Sequence, residues 1–260
     1  MNPEHQSLTT VMVVPCYNEE NRLDVDAFLH FVRSRPWLTF LFVDDGSTDG
    51  TADLIVKAER GSQERIRSVL LKKNSGKAEA VRSGLLAAFE QGPDLVGFWD
   101  ADLATPLDEI DRFHEHFERQ PVLEIAMGSR IRMLGSHIER KATRHYFGRV
   151  AATAVSLILG IPVYDTQCGA KLMRSTTRVR GIFEQPFLTR WAFDVEVLAR
   201  WLIAAPAGVD LPVDHGLVEI PLDKWVDVAG SKLRFGDFVG APLDIWRIYR
   251  QYGPDLRQGR

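Results

Sequence analysis

The sequence predicts an α/β fold, a mostly parallel sheet with helices on both faces in a single domain. Two patterns carry that expectation: short β-branched runs recur with amphipathic segments between them, and clusters of carboxylates stand where those runs end. Of 260 residues, 45% are hydrophobic and 10% aromatic, enough to fill one large core. This composition excludes a disordered chain, and two cysteines, Cys16 and Cys168, exclude a disulfide framework or a cysteine-built zinc site. With 32 Lys+Arg against 35 Asp+Glu the formal charge is −3, which gives no support to nucleic-acid binding.

Taken in order, Val11–Val14 reads as the first strand, with Pro15 expected to stop it. Leu41–Val43, Arg67–Leu71, Val96–Trp99 and Ile125–Met127 are the next four. Helical spacing lies between them at Leu23–Arg33, Thr51–Arg60, Ala78–Glu90 and Leu107–Phe117. Thr48 or Asp49 is the expected cap of the second helix, and Thr105-Pro106 the opening of the fourth. Such alternation places ligands at the carboxyl ends of the strands.

Beyond residue 130 the texture changes. Arg130, Arg132, Arg140, Lys141, Arg144 and Arg149 fall within twenty positions that contain one acid, Glu139, and the apolar stretch Val150–Ile161 follows. That composition fits an interfacial helix with Val150, Val155, Leu157, Ile158 and Leu159 entering lipid, and equally a core helix beside a solvated basic face. A polar loop, Tyr164–Lys171, a helix from near Trp191, a strand region ending near Ile220 and a C-terminal helix over Phe235–Tyr252 complete the reading. Residues 1–10 are expected to be flexible, 11–234 to form the domain as halves 11–130 and 131–234, and 235–260 to be a terminal helix and tail. The start lacks the basic and apolar regions of a secretory signal, and no run approaches the roughly 18 apolar residues of a spanning helix, so the expected location is cytoplasmic, at most on the inner face of the membrane.

Asp44-Asp45 follows the second strand and Asp100-Ala101-Asp102 the fourth. Carboxylates two residues apart on a turning backbone can converge on one divalent cation, and hard oxygen ligands suit Mg2+ or Mn2+ bridging a diphosphate. An Asp-x-Asp triplet alone is weak evidence. Gly76-Lys77 lacks the P-loop glycine, and neither Gly-x-Gly-x-x-Gly nor Gly-x-Ser-x-Gly occurs at the required places. His114-Glu115-His116 lacks zincin spacing and reads as an exposed helix face.

Pro15-Cys16-Tyr17-Asn18-Glu19-Glu20, Val43 to Asp49, Asn74-Ser75-Gly76-Lys77 and Asp100-Ala101-Asp102, in this order after successive strands, resemble the inverting nucleotide-sugar glycosyltransferases of family 2. Asp165 to Lys171 and Arg190 to Glu196 resemble one branch, the dolichyl-phosphate and polyprenyl-phosphate β-glucosyltransferases. The resemblance implies a GT-A-like fold with a nucleotide-sugar half before an acceptor half. It implies that Pro15, Tyr17, Glu19 and Asp45 hold the uracil and ribose, and that Lys77, Ala101 and Arg130 also line the donor site. Asp100 and Asp102 would bind the cation with the diphosphate, and Lys232 would sit on a mobile loop that closes over the donor. UDP-glucose is the implied donor and a polyprenyl phosphate the implied acceptor, reached by peripheral membrane contact through residues 140–161.

The acceptor decides the chemistry. A lipid monophosphate has a second pKa of about 6 and needs cations more than a base, for which Lys171 and Arg130 are candidates. A sugar hydroxyl needs a carboxylate base, for which Asp165, Asp194 or Glu196 are candidates. On a helix, Trp191, Val195, Leu198 and Leu202 share one apolar face, which leaves Glu196 pointing away and Asp194 at the edge, where it could also act as a cap. Cys168 reads as a small packed residue. A soluble saccharide acceptor, and a silent nucleotide-sugar or membrane-surface binding module, are the alternative functions.

Overall fold

In the computed structural model residues 7–135, 137–139, 142–204, 213–228 and 235–258 are described. The chain runs β1 (Thr10–Cys16), α1 (Val25–Arg33), β2 (Leu38–Asp44), α2 (Thr51–Gly61), β3 (Ile66–Leu70), α3 (Lys77–Phe89), β4 (Leu95–Trp99), α4 (Glu109–Arg119) and β5 (Ile125–Ser129). It continues through β6 (His137–Glu139), α5 (Ala142–Leu159), β7 (Ala170–Arg174), α6 (Thr177–Glu184), α7 (Phe193–Ile203), α8 (Val213–Gly216), β8 (Leu217–Pro221), β9 (Lys224–Val226) and α9 (Phe235–Gln258).

Among the described residues seven strands form one sheet in the order β3-β2-β1-β4-β7-β5-β8. Neighbours are parallel except at β7, which runs antiparallel to both β4 and β5. Alternation along β1 sends Val11 and Val13 into one layer and Met12 and Val14 into the other. The first layer packs against α3, α6 and α7 through Val81, Leu85, Phe183, Val197 and Leu198. Phe28 and Phe31 of α1 and Ile110, Phe113 and Phe117 of α4 fill the second. A sheet covered on both faces needs near-continuous apolar strands, which is why those runs stand out in the sequence.

Several expectations change. β1 runs through Pro15 to Cys16, because pairing with β4 ends at Val13 and only the β2 side continues, so a missing N–H is tolerated there. Gly50 rather than Thr48 or Asp49 occupies the N-cap of α2, although the Asp49 carboxylate still accepts the Thr51 N–H at 3.1 Å. α4 starts at Glu109, two residues late, after a turn in which the Glu109 N–H meets the Pro106 carbonyl at 3.2 Å. His114 is not on an exposed face: it is buried, its Nε2 lies 2.8 Å from the Leu8 carbonyl and its ring stacks on Trp37 at 3.9 Å. That contact, with Thr9 bonded to Asp94 and Thr10 inside β1, ties down the chain end from Leu8 onward, ahead of the expected boundary at residue 10.

The second half does not form a unit of its own. β7 enters between β4 and β5, and β8 extends the same sheet, so the two halves expected on either side of residue 130 share one core. α6, absent from the sequence reading, is capped by Thr176, whose hydroxyl accepts the Val179 N–H. α9 is no appended tail either, since Ile248 and Leu256 belong to the core layer beneath α7, and the helix continues to Gln258. α5 takes in Arg144 and Arg149 as well as the apolar stretch. Val155 and Leu159, expected to enter lipid, are each 2% exposed and pack in the core, while Leu157 is 78% exposed. Among the described residues no helix is long and apolar enough to cross a membrane.

Candidate active site

The carboxyl ends of β1, β2 and β4 and the amino ends of α3 and α7 meet at one edge of the sheet, where a cleft gathers the acidic motifs. Asp45 follows β2 and is buried; its carboxylate accepts N–H bonds from Ser75 at 2.8 Å, Gly76 at 2.7 Å and the Asn74 amide at 3.1 Å. Burial pushes the Asp45 carboxyl up, against the lowering pull of those N–H groups and of Arg190. The turn at Gly76 has φ +95°, a conformation that favours glycine and aims its N–H at Asp45. Arg190 closes the far side of the turn, with Nε 3.1 Å from the Ser75 carbonyl.

Asp100 follows β4. Its backbone N–H donates to the Gly169 carbonyl at 3.0 Å, and its Oδ1 accepts the Lys77 ammonium at 2.5 Å. A Cβ on residue 169 would lie 1.8 Å from the Asp100 Oδ2, so only glycine leaves room for this carboxylate. Asp102 Oδ1 accepts the Ala104 N–H at 3.1 Å across a turn whose central Leu103 has φ +55°, a strained value for a leucine. Burial and then the Asp100 charge push the Asp102 carboxyl up. The surroundings of Lys77 would lower its ammonium, but Asp100, with help from Asp194 and Asp102, outweighs them and raises it. Two mutually repelling carboxylates at an open cleft are a hard-oxygen donor set that fits a divalent cation. No cluster of three or more His, Cys, Asp or Glu able to hold a metal occurs among the described residues.

The profile of Glycosyl transferase family 2 matches residues 11–176. Dolichyl-phosphate β-glucosyltransferase of Drosophila melanogaster is 33% identical over 95% of this chain and 76% of its own length. The protein of the same name from Dictyostelium discoideum is 32% identical over 93% and 74%. The chain belongs to glycosyl transferase family 2. Glucosyl-3-phosphoglycerate synthase of Mycobacterium tuberculosis, crystallised with Mn2+ and UDP-glucose, superposes on this transferase with a TM-score of 0.65 at 15% identity, covering 95% of this chain and 79% of that one. The GT-A-like, mostly parallel sheet is therefore shared with an enzyme of distant sequence.

Other expected site residues of the transferase stand differently. Lys171, on β7, is fully buried: Nζ donates to the Thr166 carbonyl at 2.9 Å, the Cys168 carbonyl at 2.7 Å and Asp194 Oδ1 at 2.5 Å, which uses all three of its donors. It cannot face an acceptor phosphate from there. Asp194, 5% exposed, is the buried partner of Lys171 rather than a helix cap, and Ala192 holds the N-cap of α7. Burial pushes the Asp194 carboxyl up, against Lys171 and Lys77. Asp165 accepts three bonds from Arg130, from Nε at 2.6 Å, Nη2 at 2.7 Å and the backbone N–H at 3.1 Å, so neither is poised for a base or a diphosphate. Glu196 does not point away: α9 covers that side, and the carboxylate accepts from Leu188 N–H, Tyr252 and Arg200. Glu19 is buried and clamped by Arg22 at 2.7 Å and 2.8 Å, which engages the group expected on the nucleoside. Pro15 and Tyr17 are half-buried at the cleft, and the Ala101 side chain packs in the core below Asp100. Cys168 is packed, its thiol pushed up to about 11 by burial. Lys232 lies outside the described residues.

Sequence reasoning missed Glu219 and Arg22, and gave Arg190 no role of its own within its motif. Glu219 on β8 accepts the Tyr164 and Asp165 N–H groups at 2.8 and 2.7 Å and so holds the start of the 164–168 loop, while Lys171 holds the Thr166 and Cys168 carbonyls further along it. A lone acid in the apolar strand Leu217–Pro221 was the available signal.

Proposed function

We propose that the chain transfers glucose from UDP-glucose to a polyprenyl phosphate with inversion, giving a β-linked lipid-phosphate sugar. The observation that supports this reading best is the similarity to dolichyl-phosphate β-glucosyltransferases over nearly the whole chain, joined to a cleft that presents a nucleoside-side carboxylate, two further carboxylates and an exposed lysine. Asp45 keeps the 74–76 turn in place as the wall of a nucleoside pocket flanked by Pro15 and Tyr17. Asp100 and Asp102 would hold Mg2+ or Mn2+, which when bound offsets the charge growing on the leaving diphosphate. Lys77 supplies a second positive charge at the same phosphates. The acceptor phosphate is largely a dianion near neutral pH and attacks without a general base, which agrees with Asp165 and Asp194 both being paired and buried. These two, with Arg130, Lys171 and Glu219, act as positioning residues that fix the 164–168 loop against Gly169 and Asp100.

The domain begins by Leu8 and includes the C-terminal helix to Gln258. Peripheral contact with a membrane fits outward groups such as Leu157, not Val155 or Leu159; of the basic segment expected to reach it, Arg140 and Lys141 lie outside the described residues. Incubation with radiolabelled UDP-glucose, divalent cation and a polyprenyl phosphate, followed by organic extraction, tests the reaction. Label in a mild-acid-labile lipid is the expected result. Label that enters only a water-soluble saccharide would overturn the lipid acceptor.

A further inference from the structure

Each carboxylate of the Asp100–Asp102 pair has its Oδ1 hydrogen-bonded by the protein, Asp100 by Lys77 and Asp102 by Ala104. The Asp100 carboxylate packs against Gly169, where an added methyl group would lie 1.8 Å from Oδ2 and 2.5 Å from Oδ1, and Oδ1 of Asp102 takes the Ala104 N–H. The Asp100 oxygen bonded by Lys77 is Oδ1, at 2.5 Å. This contact stands in the open cleft: the two side chains are 41% and 34% exposed. The lysine backbone is fixed, because Lys77 opens α3 directly after the Gly76 turn that Asp45 holds. Its ammonium, by contrast, bonds Asp100 alone among the described residues and ends a flexible four-carbon stem. An ammonium and a divalent cation on the same carboxylate oxygen repel each other, and the ammonium is the one that can swing away.

We propose that the Lys77 ammonium is a resident competitor for the cation site, so that a divalent cation binds Asp100 and Asp102 firmly only once a nucleoside diphosphate draws the lysine onto its own oxygens. The inference rests on the reading of Asp100 and Asp102 as cation ligands. Its consequence is mutual reinforcement: nucleotide strengthens cation binding by relieving the competition, and by linkage the cation strengthens nucleotide binding by the same factor. Premature loading of the site by cation alone is held back, and the lysine reaches the diphosphate as the cation does.

Mn2+ binding followed by electron paramagnetic resonance, with and without UDP, tests this independently of turnover. Without UDP, Lys77→Met and Lys77→Gln should bind Mn2+ about tenfold more tightly than the natural chain, and the strengthening produced by UDP should shrink by about the same factor. Arg190→Met removes a charge from the same cleft without bonding either carboxylate, and should change Mn2+ affinity less than about threefold. Unchanged melting temperatures certify the folds, as expected for an exposed Lys77. Equal affinity in the natural chain and both Lys77 variants would overturn the competition, as would an equal gain from Arg190→Met. No Mn2+ binding by any of these proteins, with or without UDP, would remove the cation reading itself.

Discussion

Replacement of Lys171 by Met separates a positioning role from a catalytic one. The change keeps the stem volume and deletes an ammonium that is fully buried and satisfies two carbonyls and Asp194. Breaking a buried ion pair from one side costs about 3–5 kcal/mol, because the surviving charge has lost its partner. In a domain of this size that corresponds to a fall in melting temperature of about 6–20 °C, at about 2–4 °C per kcal/mol. The pH dependence has a definite sign. Burial already raises the Asp194 carboxyl, and loss of Lys171 raises it further, so the folded variant binds a proton that the unfolded chain has released. Such a group stabilises the folded state fully below the ordinary carboxylate range, and that stability is lost as pH rises through the raised folded value, by up to about 1.4 kcal/mol per pH unit. Urea unfolding followed by tryptophan fluorescence should therefore show a larger deficit at about pH 8 than at about pH 5. Adding Asp194→Asn to the variant should restore at least about 2 kcal/mol at the higher pH, since the uncompensated charge is then gone. If Lys171→Met unfolds at the natural midpoint at both pH values yet abolishes transfer, the lysine meets substrate and the positioning argument fails.

Replacing Asp102 by Ala, or removing divalent cations with chelator, should lower turnover by at least about a hundredfold, and full activity in excess chelator would refute the cation assignment. Asp45→Ala frees the Asn74, Ser75 and Gly76 N–H groups from their shared carboxylate and should weaken UDP binding by at least about tenfold in calorimetric titration; an unchanged dissociation constant takes Asp45 out of the nucleotide pocket. Gly169→Ala forces Asp100 out of its place and should cost at least about tenfold in turnover, measured against a melting temperature that records any general damage. Reversing the charges of Arg144 and Arg149 should release the protein from anionic liposomes in flotation, at about 1 kcal/mol per basic residue, and slow transfer to a long but not to a short prenyl phosphate. Unaltered flotation of the folded variant would count against membrane contact by this segment.

The strands that carry Asp45 and Asp100 were legible in the sequence because a sheet covered on both faces demands unbroken apolar runs, and a carboxylate directly after such a run has to emerge at the sheet's edge. The ordered motifs from Pro15 to Asp102, and the later ones through Glu196, were enough to point to the family and its branch. Local sequence could not reveal β7, whose Ala170–Arg174 has no β-branched residue and gains its strand conformation by insertion between β4 and β5. Nor could it tell which charges meet substrate and which meet each other. Lys171 and Asp194 are 23 positions apart, Arg130 and Asp165 are 35 apart, and Glu196 is covered by a helix that begins at Phe235. A helical face is judged from its own periodicity as if one side were open to water, whereas α7 lies between the sheet and α9 and buries both sides. Residue type and spacing thus decided the first five strands, the acidic cleft and the family; long-range packing alone decided β7, and which carboxylates stay in the cleft and which are neutralised beneath it, because the cost of a buried charge depends on partners brought together by the fold.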